Sequence, residues 1–241
     1  MPLGDSITRG SYLAMYESGP QKGRAIGRAN VDGGGWRKLL QDMLRADGVA
    51  FDFVGELSYH SFGREGKVDP SFDPDHHGLA GFGNSQIISG GKVPTPKDVL
   101  DELGVSEIVV PDIQTVLKKQ RPDIILLMSG ANGFDAAARD ELIGQIGANS
   151  SAHLFVATIL PQRAPRIGWE KVDDYNSSLP AIVAAQKAKG FRITMVDMHA
   201  AIAADDLLAD GVHPNRDGLA KIAAKWYAAL KVAGYVERKG R

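Results

Sequence analysis

The sequence predicts an α/β fold, a parallel sheet with helices on both faces. Two observations carry this expectation. The run Ile124-Ile125-Leu126-Leu127-Met128 is apolar without alternation, as a strand covered on both faces must be. Strand-like runs also alternate along the chain with stretches of helical spacing, which is the pattern of successive βαβ units.

Met1-Pro2-Leu3 supplies the first strand, shorter than such a sheet usually carries, and Gly4-Asp5 turns the chain into Ser6. A glycine-rich connection then runs to Gly35. Residues 36–44 place apolar side chains at helical spacing, and Gly48 closes the helix. Residues 49–54 alternate in part and read as a strand. Residues 55–106 read as a long irregular insertion with one short helix near 97–103; a segment of that length is usually functional or a lid. Residues 108–120 read as a helix stopped before Pro122, and residues 123–128 as a buried strand. A helix over 135–146 and a strand over 153–158 follow. Residues 169–189 are helical with Pro180 inside, which predicts a kink or two pieces. A strand over 193–197 and an amphipathic helix over 217–233, with Trp226 and Tyr227 at core spacing, complete the pattern.

Composition narrows the function classes. The 241 residues are 44% hydrophobic and 24% charged, which fits one domain spanning 1–241. Net charge is −1 from 28 basic and 29 acidic residues, so neither nucleic acid nor an anionic membrane surface is favoured as partner. No apolar run approaches a membrane span. Without cysteine there is no disulfide, no thiolate metal site and no cysteine nucleophile. No signal-peptide pattern occurs, and the compartment stays open: cytoplasmic, or secreted with a leader removed. Nothing in the sequence bears on oligomeric state.

The chemistry points to Ser6, Asp210 and His213. A serine hydroxyl is a weak nucleophile until a base takes its proton, and the base works best when a carboxylate fixes its tautomer. Asp210-Gly211-Val212-His213-Pro214 offers both, since an aspartate three residues back can reach Nδ1 and leave Nε2 for Ser6. Asp205 and Asp206 are poorer orienters, with a short helical stretch between them and the histidine. A serine at a strand-to-helix junction is also an ordinary helix N-cap, the competing reading of Ser6.

Gly4-Asp5-Ser6-Ile7-Thr8 and Asp210-Gly211-Val212-His213-Pro214-Asn215 resemble the first and last blocks of the SGNH (GDSL-type) hydrolases. His77-Gly78-Leu79-Ala80-Gly81-Phe82 and Gly130-Ala131-Asn132-Gly133 resemble the two middle blocks, in the same order. Within that superfamily the chain most resembles carbohydrate esterase family three, the acetylxylan esterases, through Met1-Pro2-Leu3, Asp73-Pro74-Asp75-His76-His77-Gly78 and His213-Pro214-Asn215-Arg216-Asp217-Gly218. The resemblance implies a three-layer, flavodoxin-like fold around a five-stranded parallel sheet. It implies an oxyanion hole formed by the Ser6 and Gly81 amides and the Asn132 side chain, with Gly78 and Gly83 close by. The family carries an aspartate after that asparagine; here Gly133 stands instead, which puts the rigidity of the loop in question. No cofactor or metal is implied. Asp73, Asp75, His76 and His77 form the one conceivable ligand cluster, and Gly33-Gly34-Gly35 lacks the spacing of a phosphate loop. Phe72, Phe82 and Trp169 are the aromatic candidates for an acyl or sugar pocket. The expected activity is serine-dependent hydrolysis of short acyl esters, acetylated carbohydrate foremost. A general esterase, lysophospholipase or thioesterase on the same site, and a carbohydrate-binding protein without turnover, are the alternatives.

Overall fold

A computed structural model describes residues 1–15, 25–30, 34–58, 71–94, 107–166 and 168–236. Its strands in chain order are β1 (Pro2–Gly4), β2 (Ser11–Met15), β3 (Ala25–Asn30), β4 (Leu57–Ser58), β5 (Asp75–Gly78), β6 (Gly91–Pro94), β7 (Glu107–Val110), β8 (Ile124–Met128), β9 (His153–Ala157) and β10 (Ile193–Val196). The helices are α1 (Ser6–Arg9), α2 (Trp36–Ala46), α3 (Asn84–Ser89), α4 (Ile113–Gln120), α5 (Ala136–Asn149), α6 (Val172–Ser177), α7 (Leu179–Ala188) and α8 (Arg216–Val232).

The main sheet runs β10-β9-β8-β1-β5-β4. Its β1, β5, β8, β9 and β10 are all parallel, the five expected, and the two-residue β4 adds an antiparallel sixth strand against β5. Numbered along the chain, the parallel strands lie in the order 2-1-3-4-5, so the winding reverses between β1 and β8. In sheets of this kind the crevice beyond the strand ends at that reversal is where ligands bind. Small antiparallel pairs, β2 with β3 and β6 with β7, lie outside this sheet.

Both faces of the sheet are covered. Along β8, Ile125 and Leu127 join one apolar cluster while Leu126 and Met128 join the other, as alternation across a strand requires. Leu154 and Val156 of β9 divide from Phe155 and Ala157 in the same way. Each such fully buried side chain contributes about 1.5–3 kcal/mol. On the second face α2 packs against α8 through Trp36 and Trp226, with ring centroids 5.9 Å apart.

Several elements differ from expectation. Residues 49–54 form no strand; the second parallel strand is β5, inside the segment expected to be irregular, and β4, α3 and β6 lie in that segment too. His76 and His77 are both fully buried on β5, so a pair of histidines does the work that the sequence pattern reserves for apolar residues. The helix expected over 108–120 begins only at Ile113, capped by the Asp112 side chain on Thr115 N–H. The β-branched run before Pro111 is strand β7 instead. The helix expected near 97–103 lies outside the described residues. The glycine-rich connection contains α1 and the β2–β3 pair. Helix 169–189 is in two α-helical pieces broken at Ser178, with Pro180 in the first turn of the second, where a missing N–H is harmless.

Candidate active site

Ser6 opens α1 directly after β1. Asp5, not Ser6, is the N-cap: its Oδ1 accepts from Ile7 N–H at 3.0 Å. The capping demand is thus met by the preceding residue, and the Ser6 hydroxyl is left free to point elsewhere. It lies 2.8 Å from His213 Nε2.

His213 sits in the loop before α8. That loop is pinned at both ends: Leu208 N–H donates to the His213 carbonyl at 2.8 Å, and Asn215 caps α8 on Gly218 N–H at 3.0 Å. Asp210 serves the loop twice. Its Oδ1 accepts from Val212 N–H at 2.9 Å and His213 N–H at 3.0 Å, while Oδ2 lies 2.7 Å from His213 Nδ1. A carboxylate can only accept, so this contact selects the tautomer protonated at Nδ1 and leaves Nε2 to accept from Ser6. Burial pushes the Asp210 carboxyl upward, but the hydrogen bond and charge of His213 and the two loop amides outweigh it. Its pKa ends below the ordinary value, and the side chain stays ionised. Asp206 is engaged elsewhere, with Lys221 Nζ at 2.7 Å and the Ala203 amide at 2.7 Å.

The three candidate oxyanion donors lie on different loops. Among the described residues the main-chain N–H groups of Ser6 and Gly81 have no acceptor. Gly81 holds φ at +86°, a conformation that favours glycine, and a Cβ there would meet nothing within 4 Å. Asn132 follows β8 at the winding reversal. Its Nδ2 donates one hydrogen to the Phe82 carbonyl at 3.0 Å, beside Gly81, and keeps the second uncommitted. The loop holding it is tied down despite Gly133. Gly133 N–H and Phe134 N–H both donate to the Gly130 carbonyl, Tyr175 Oη donates to the Ser129 carbonyl at 3.0 Å, and Ser129 Oγ donates to Asn84 Oδ1 at 2.7 Å. A cavity of about 190 Å³ adjoins this loop between Gly83, Gln86, Gly133 and Phe134.

The remaining candidates have other places. Phe72 and Phe82 are buried, with 4% and 6% exposure, whereas Trp169 is exposed. Phe72 packs under the Arg37 guanidinium, 5.3 Å from the ring centre. Asp73 accepts from the Phe53 amide at 2.6 Å and the Asp75 amide at 3.2 Å, and His76 Nδ1 accepts from Gly78 N–H at 3.0 Å. Trp226 is core, fully buried. Two polar residues of the site have no counterpart among the sequence candidates. Asp5 carries a recognisable cap signal ahead of a helix; Arg166, in a loop of prolines and arginines, carries none.

Comparison with known proteins agrees with this architecture. A multidomain esterase of Ruminococcus flavefaciens is 28% identical over 254 residues, covering 98% of this chain and 28% of that protein. This chain therefore spans under a third of that relative's length. The solved family 3 carbohydrate esterase of Clostridium thermocellum shares the fold with a TM-score of 0.67, at 24% identity over 98% of both chains. A carbohydrate esterase family 3 structure from Talaromyces cellulolyticus does so at 21% identity, also with a TM-score of 0.67, over 96% of this chain and 95% of that one. The model of the GDSL-like Lipase/Acylhydrolase family matches residues 1–226, from the Ser6 turn through the His213 loop and most of α8. By that match the chain belongs to the GDSL-like lipase/acylhydrolase family.

Proposed function

We propose that the chain hydrolyses short acyl esters, acetyl groups on carbohydrate foremost, through Ser6, His213 and Asp210. The observation that carries this reading is the continuous hydrogen-bonded path from the Ser6 hydroxyl through the His213 ring to Asp210 Oδ2, at 2.8 and 2.7 Å. Ser6 Oγ attacks the ester carbonyl carbon while His213 Nε2 takes its proton. The resulting oxyanion is met by the amides of Ser6 and Gly81 and the free hydrogen of Asn132 Nδ2. As the tetrahedral species collapses, the carbon–oxygen bond to the alcohol breaks and His213 returns the proton to the departing oxygen. Water then attacks the acyl-serine with His213 again as base, releasing the acid and restoring Ser6. Asp210, kept ionised, stabilises the imidazolium through both halves of the cycle. Every step uses side chains and main-chain amides alone.

The carbohydrate part of the proposal leans on the solved relatives, two of which are named family 3 carbohydrate esterases. The test is a panel of p-nitrophenyl acetate, butyrate and octanoate beside acetylated xylan. Acetate turnover above octanoate, acetate release from xylan, and loss of both in Ser6→Ala are expected. A preference for long chains with no release from xylan would favour the general esterase or lysophospholipase reading. Undiminished turnover in Ser6→Ala would remove Ser6 from the mechanism.

A further inference from the structure

The segment after β9 touches both loops that carry the proposed chemistry. Arg163 N–H donates to the Gly211 carbonyl at 3.0 Å, inside the turn between Asp210 and His213. Three residues on, Arg166 Nη2 donates to the Ala131 carbonyl at 2.6 Å. The Ala131 carbonyl and the Asn132 N–H belong to one rigid peptide plane, and that plane sets the direction in which the Asn132 side chain leaves the loop. The guanidinium therefore holds Asn132 at its root while the Phe82 carbonyl holds it at its tip. From the other side, the Ala131 amide faces the buried Asp5 carboxylate and favours its charged form.

Arg166 is half-buried and makes no ion pair among the described residues. Its Nε is buried without an acceptor. A guanidinium nitrogen buried without an acceptor costs stability, and the side chain keeps that position while its Nη2 holds the Ala131 carbonyl. At Gly133, by contrast, a Cβ would meet nothing within 4 Å, so no side-chain contact steadies the loop there.

We infer that Arg166 is a positioning residue: through the Ala131 carbonyl it orients Asn132 toward the developing oxyanion. This rests on the proposed role of Asn132 as donor. The test is a double-mutant cycle with p-nitrophenyl acetate. Arg166→Ala should lower kcat roughly 10- to 100-fold, the cost of a misplaced catalytic group, with KM within about 2-fold. Arg166→Lys, which can still reach the carbonyl with a point charge, should recover much of the rate. In an Asn132→Ala background, itself slower by about 10²- to 10³-fold, Arg166→Ala should cost less than about 2-fold more. Where Arg166→Ala fails to fold, Arg166→Gln takes its place in the same cycle. A wild-type kcat in the Arg166 variants, or an equal loss in both backgrounds, overturns the positioning role alone. A wild-type rate for Asn132→Ala overturns the donor assignment and the positioning role with it.

Discussion

At the scale of single residues, the acids on either side of the Ser6–His213 contact carry opposite electrostatic signatures. Asp210 is held ionised by its partners, whereas burial raises the Asp5 pKa despite the Ile7 amide and the His213 charge. Ionising Asp5 on folding therefore costs stability above the ordinary carboxylate range, and removing its charge should not. Asp5→Asn keeps an equally good cap, so its Tm should equal or exceed that of the parent. Its kcat should fall on the order of 10-fold, because a negative charge near the imidazolium is lost. A lowered Tm with an unchanged rate would reverse that reading. Asp210→Asn separates geometry from charge differently. The amide oxygen can still accept from Val212 and His213 N–H, so the loop should fold, yet the amide nitrogen facing Nδ1 favours the wrong tautomer. A loss of about 10⁴-fold in kcat with an unchanged circular dichroism spectrum is expected, against about 10⁶-fold for Ser6→Ala.

Among elements, the Asp210–His213 loop is the most exacting. Gly211 has φ of +73°, and a Cβ there would fall 2.2 Å from the Arg163 carbonyl oxygen. Gly211→Ala should cost about 1–3 kcal/mol in denaturant titration. It should also lower kcat, because the displaced loop carries His213; an unaffected rate would show that the ring is held by α8 alone. How much was legible in the sequence follows from what each element is made of. Strand β8 announces itself because five apolar residues without alternation have few other uses, and α8 because its apolar stripe repeats over seventeen residues. Strand β5 does not, since Asp75-His76-His77-Gly78 hides two fully buried histidines in a polar-looking string. At 107–120 the strand's β-branched residues fall at spacing a helix could also use, and only Pro111 marks the seam. Ser6, Asp210 and His213 could be picked out together because a hydroxyl, an imidazole and a carboxylate in these contexts suggest one shared chemistry, and the structure brings them within hydrogen-bond distance. Arg166 acts through a main-chain oxygen, and a contact to the backbone leaves no residue-type signature in its partner.

For the molecule as a whole, the buried histidines set the acid limb of stability. Burial holds His77 near a pKa of about 4, down from 6.5, with the Glu56 charge opposing only in part, and His76 too is held well below the ordinary value by burial beside Arg37 and Arg9. The unfolded chain takes up these protons first, so the histidines' contribution to stability is full above about pH 6.5 and declines as pH falls toward 4. His77 alone accounts for up to about 3 kcal/mol of that decline. Urea midpoints measured from pH 7 to pH 4.5 should fall steadily, and more shallowly in His77→Gln; parallel curves would place the proton uptake elsewhere. The strand that leads into Ser6 also has a history. β1 lies between β5 and β8, with Leu3 opposite His77 and Leu127, so on the ribosome it is made before either partner exists. At about 5–20 residues per second it waits on the order of ten seconds for β8 to be made. Until then β1 can pair with β5 but lacks its other neighbour, and Ser6 stands without His213 and the Asn132 loop beside it. On the proposed chemistry, ester cleavage needs the Ser6 turn, the Asn132 loop and the His213 loop together, so during refolding it should return no earlier than the helical signal.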